Sequence, residues 1–114
     1  MTLRLHNMTL DCADTAGVSV FWSTALGRPI DDGGSEFFVS IGASDDNQTG
    51  WFFIQVPEGK TVKNRFHIDL RADDREVEVD RLVRLGAKRF ADHDEYGARW
   101  TTLHDPEGNE FCVS

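Results

Sequence analysis

Asp11-Cys12-Ala13-Asp14, a helical run opening at Thr15, and Leu26-Gly27 decide the fold, because the chain states the pattern twice. Ala72-Asp73, a second helical run and Leu85-Gly86 follow about sixty residues later. In each copy an alternating strand enters an acidic helix start, and the helix closes at a glycine. In the first, Val18, Phe21, Trp22, Ala25 and Leu26 recur at i, i+3, i+4, i+7 and i+8, the spacing of one buried helix face. Asp14 is placed to accept from the free N–H groups of the first turn, and Gly27 to end the helix. The second copy predicts a helix from Asp73, with Glu76 as its capping-box partner, that buries Val79, Leu82 and Val83 before Gly86.

The strands are read outward from these helices. Residues 3–12 alternate, with Met8, Leu10 and Cys12 on one face and Asn7, Thr9 and Asp11 on the other. Residues 36–41 and 51–56 read as strands around a polar loop, after the turn signal Asp31-Asp32-Gly33-Gly34. In the second half, Phe66, Ile68 and Leu70 oppose Arg65, His67, Asp69 and Arg71. Strands at 87–90, 98–103 and 110–113 follow, the last two separated by the turn Asp105-Pro106-Glu107-Gly108-Asn109. The expectation is an α+β chain, one domain over 1–114, made of two tandem βαβββ modules at about 3–57 and 61–114.

A chain of 114 residues that is 39% hydrophobic, with eight Phe and three Trp, can build a core. No apolar run approaches the roughly 20 residues that span a bilayer, and Met1-Thr2-Leu3-Arg4 does not open a signal peptide, so a cytoplasmic protein without membrane contact is expected. Cys12 and Cys112 lack CxxC spacing and sit in apolar strand contexts, which predicts free thiols. A net charge of −8 repels nucleic-acid phosphates and disfavours a nucleic-acid binder; it serves solubility or, more specifically, attraction of a cationic ligand or partner.

Asp11-Cys12-Ala13-Asp14 with Phe21-Trp22 and Ala25-Leu26-Gly27, then Arg65-Phe66-His67-Ile68-Asp69-Leu70 with Asp105-Pro106-Glu107-Gly108-Asn109-Glu110-Phe111, resemble the vicinal oxygen chelate superfamily. Glyoxalase I, bleomycin-resistance proteins and extradiol dioxygenases belong to that superfamily, and the resemblance is to its small glyoxalase-like domains. It implies paired modules whose mixed sheets curve into a shared groove, with homodimerisation common. In metal-using relatives the ligands project from the first and last strand of each module. That pattern falls here on Asn7, Gln55, His67 and Cys112.

Divalent cations used as Lewis acids favour imidazole and carboxylate donors, and amide oxygens bind them feebly. Of the four positions only His67 fits well, so no cofactor is expected. The groove keeps the makings of a small-molecule site: Trp51, Phe53 and Gln55 share parity on one strand, with Trp100 near them as an aromatic wall. Thr9, Asp11, Asp69, Arg65 and Arg71 fall on the inward parity as well. His6, His104 and Asp92-His93-Asp94-Glu95 read as rim features. The leading expectation is a homodimer that binds an aromatic or cationic small molecule in the inter-module groove, in the manner of bleomycin-resistance proteins. The alternatives are a metal-dependent lyase, isomerase or dioxygenase-type enzyme using His67, and an interaction module with a filled groove.

Overall fold

The structure, a computed structural model, describes residues 2–114. It divides into two compact units between Gly59 and Lys60. Together the units carry two small mixed sheets and two helices, and neither sheet closes into a barrel.

The first unit runs β1 (Asn7–Cys12), α1 (Thr15–Leu26), β2 (Phe38–Ile41) and β3 (Gly50–Gln55). Its sheet has the order β1-β3-β2, with β1 parallel and β2 antiparallel to β3. A third strand after the helix was expected, but only the single bridge Ile30 to Ile41 forms. Pro29 lacks an N–H to extend it, and the turn at Gly33 (φ 87°) carries the chain away. Asp14 caps α1 by accepting from the Gly17 N–H at 3.1 Å. A Cβ at position 17 would stand 2.5 Å from Asp14 Oδ2, so any larger residue there would turn the capping carboxylate aside. Gly27 ends the helix in the left-handed region, at φ 65°. The helix sets Val18, Phe21 and Trp22 into the core, where Trp22 meets the Trp51 ring at 4.8 Å and Phe21 edge-on at 5.1 Å. Burying each such side chain contributes about 1.5–3 kcal/mol.

The second unit runs β4 (Ile68–Leu70), α2 (Arg75–Leu85), β5 (Lys88–Glu95), β6 (Ala98–His104) and β7 (Glu110–Val113), in sheet order β4-β7-β6-β5. Strand β4 is parallel to β7, and the other pairs are antiparallel. The cap of α2 is Asp74, which accepts from the Val77 N–H at 3.2 Å, rather than the expected Asp73. Glu76 is consequently free of capping duty and pairs with Arg89 at 3.1 Å. Strand β4 starts only at Ile68, so Phe66 escapes the expected alternation and is exposed, as is Val83. Strand β5 continues past the predicted stop at residue 90, because an irregularity between Arg89 and Ala91 interrupts its alternation without ending its pairing with β6. Tyr96 and Gly97, both at positive φ, make the hairpin turn. Asp105, buried, accepts from the Glu107 and Asn109 N–H groups at 2.9 Å each, which fixes the turn that aligns β6 with β7.

Candidate functional site

Alternation along the second sheet separates a core face from a polar one. Ile68 is paired with Phe111 and Leu70 with Val113, and both β7 residues are fully buried. Asp69 is paired with Cys112, so these two emerge together on the opposite face. His67 and Glu110, two residues earlier on each chain segment, share that direction, as do Thr102, opposite Cys112, and Trp100.

On this face His67 Nδ1 lies 2.9 Å from Asp69 Oδ1, and the Thr102 hydroxyl lies 3.4 Å from Cys112 Sγ. One donor atom from each of His67, Asp69 and Cys112 falls within 4.8 Å of the other two. Burial pushes the Cys112 thiol above its ordinary range; the Thr102 hydroxyl opposes this and the Asp69 carboxylate adds to it. Glu110 is committed elsewhere, to Lys60 Nζ at 2.9 Å and the Asn64 N–H at 3.0 Å. Burial alone would raise its carboxyl, but these partners outweigh burial and hold it down at about 2. A cavity of about 500 Å³ opens over the face, lined among others by Lys63, His67, Asp69, Trp100, Thr102 and Cys112. The Trp100 ring is stacked on His93 with centroids 5.0 Å apart, which holds the indole in place.

Of the expected site residues, His67, Asp69, Trp100 and Cys112 therefore line one cavity. Asn7, Thr9 and Asp11 share a face of the first unit, where the Asn7 amide donates to Thr9 Oγ1 at 3.1 Å. Trp51 and Phe53 are not on that face. The register pairs Met8 with Trp51 and Leu10 with Phe53, which turns both aromatics toward α1 and into the core, at 4% and 0% exposure. Gln55 is paired with Cys12 on the same side, and its amide donates to the Ala13 carbonyl at 3.3 Å. The residue of β3 that shares the Thr9 face is Phe52. The repeat carried this signal: the displacement that relates His67 to Asn7 relates Cys112 to Phe52, not to Gln55. Sequence reasoning missed the Lys60–Glu110 pair.

Residues 7–114 match the model of the glyoxalase-like domain family, and the chain belongs to that family. The match agrees with the resemblance to the vicinal oxygen chelate superfamily. No curated protein matches the sequence. Among solved structures, a glyoxalase/bleomycin resistance protein/dioxygenase family enzyme from Burkholderia phytofirmans PsJN is similar at 22% identity, with 97% of each chain covered and a TM-score of 0.73. The fosfomycin resistance protein FosX of Listeria monocytogenes, complexed with Mn(II) and 1S,2S-dihydroxypropylphosphonic acid, is similar at 12% identity over 99% of this chain and 90% of that one, with a TM-score of 0.80. The bleomycin-binding protein of Streptomyces verticillus, complexed with copper(II)-bleomycin, is similar at 15% identity over 100% and 97%, with a TM-score of 0.66. At these identities the likeness establishes the fold.

The cation that the resemblance implies does not suit the four positions the family pattern selects. The amides of Asn7 and Gln55 bring no charge, which leaves an imidazole and a thiol where a hard ion needs carboxylates.

Proposed function

We propose that this glyoxalase-like chain binds a small molecule in the cavity of its second unit, with Trp100 as the flat apolar wall and His67, Asp69 and Thr102 as the groups that orient the ligand. The observation that carries the reading is the cavity itself, about 500 Å³ of space in which one indole faces convergent polar side chains. An aromatic or cationic ligand suits it best: the ring stacks on Trp100, and a cation gains from both the indole face and the Asp69 carboxylate. That the bleomycin-binding and fosfomycin resistance proteins hold small molecules on the same fold supports the reading. The homodimer is part of the proposal, and light scattering checks it.

The test is a screen of small aromatic amines by ligand-observed NMR, with intrinsic fluorescence as a second readout. Binding that weakens at least about tenfold in Trp100→Ala and is retained in Trp51→Phe upholds the reading. Binding indifferent to Trp100, or none across the screen, overturns it.

A further inference from the structure

We propose, resting on the reading of this cavity as a small-molecule site, that it selects an amphoteric aromatic compound of the aromatic amino acid type, whose acid group is held by Arg71 and Lys63. Both side chains line the cavity that Trp100 walls. Arg71 lies one residue beyond β4, yet Ser114 continues the parallel ladder there. The Ser114 N–H donates to the Leu70 carbonyl at 2.9 Å, and the Ser114 carbonyl accepts from the Ala72 N–H at 2.8 Å. Arg71 is thereby kept extended, in the register that sets Asp69 opposite Cys112, and alternation returns its side chain to the Asp69 face.

The charge balance at the cavity differs from that of the chain. Across a protein of net charge −8, acidic side chains draw Lys60, Arg75, Arg81, Arg89 and Arg99 into ion pairs. Among the described residues neither Lys63 nor Arg71 has a carboxylate partner, and the Lys63 ammonium donates to the Asn64 carbonyl at 3.3 Å. The Lys63 charge reaches the cavity floor, where it favours the Cys112 thiolate against burial. Glu110 does not offset these cations, because Lys60 and the Asn64 N–H hold its carboxylate. That leaves Asp69 as the acidic side chain of the lining open to a ligand, 70% exposed beside His67. A negative and a positive anchor, Asp69 and Arg71, therefore stand about 6.5–7 Å apart along one strand, on the face that carries the indole. An aromatic amine answers Asp69 and leaves two cations facing it; an aromatic acid does the reverse. A molecule with ring, ammonium and carboxylate answers all three, and a guanidinium takes a carboxylate through two parallel hydrogen bonds.

The experiment is titration of the full chain with three probes that share one ring, L-phenylalanine, 2-phenylethylamine and 3-phenylpropionate, read by ligand-observed NMR. L-phenylalanine should bind at least about tenfold more tightly than 2-phenylethylamine, and the gap should narrow in high salt. Arg71→Gln combined with Lys63→Gln should close the gap from both sides, weakening the amino acid and tightening the amine, from which two like charges have been removed. Asp69→Asn should do the opposite for the single-charge probes, weakening the amine and tightening the acid. Circular dichroism checks that the variants fold. If the amine binds with dependence on Trp100 but the added carboxylate brings no gain, or if the gain survives the double substitution, the acid-group assignment falls and the small-molecule reading stands. If none of the three probes binds, the assignment falls as well, and the amine screen decides separately whether the cavity takes a small molecule.

Discussion

Asp69 and Cys112 face each other across the parallel β4–β7 pair, so a carboxylate and a thiol share one polar surface while their strand neighbours Phe111 and Val113 fill the core behind them. Strand register, rather than proximity in sequence, makes this surface chemical, and it gives the site residues a property the core residues lack: they can be exchanged at little structural cost.

That contrast is testable with two tryptophans. Trp51→Ala should destabilise the protein by about 3–5 kcal/mol, since it opens a cavity beside Trp22 and Phe53 in the first unit. Trp100→Ala, at a partly exposed position, should cost well under that and act on ligand binding instead. Chemical denaturation of the two variants checks the difference.

The Lys60–Glu110 pair sets an acid limit. The Glu110 carboxyl titrates at about 2 in the folded chain against an ordinary 4.5, so the pair's contribution is full above about 4.5 and is lost as pH falls toward 2. Glu110→Gln should cost roughly 1–3 kcal/mol at neutral pH and should flatten the stability profile between those two values. Urea melts across that range measure both.

The cap of α1 gives a counter-intuitive result. Alanine favours helices over glycine by about 1 kcal/mol in general, yet Gly17→Ala should destabilise, because its methyl would intrude on the Asp14 carboxylate that accepts the Gly17 N–H. A loss of about 0.5–2 kcal/mol, similar to that of Asp14→Ala, is expected in thermal melts.

Gly42 should be equally intolerant. It sits at φ 64°, and the Arg28 guanidinium occupies the space of its absent side chain while Arg28 Nη1 donates to the Thr49 carbonyl at 2.7 Å. Gly42→Ala should dislodge Arg28, cost about 1–3 kcal/mol, and raise hydrogen exchange in the loop before β3.

Helices, caps and the paired-module pattern were legible because their signals are local. Asp14, Gly27 and Gly86 act within one turn of themselves, and the spacing of Val18, Phe21 and Trp22 states which face is buried. The one-residue error at Asp73 arose because adjacent aspartates offer two caps, and only backbone geometry selects Asp74. Register is the part a strand's own sequence does not contain: alternation says that Trp51 and Phe53 share a face, but the partner strand decides which. Asp69 and Cys112 were each expected at the site, but that they stand opposite one another depends on how β4 and β7 align.

In both units the strand synthesised last occupies the middle of its sheet: β3 separates β1 from β2, and β7 separates β4 from β6. As a ribosome delivers the chain, the earlier strands wait with unfilled hydrogen-bonding edges until that final segment arrives and zips between them. Translation order and spatial order are thus opposed, and a truncation that takes away Glu110–Val113 would remove the keystone of the second sheet rather than fray its border.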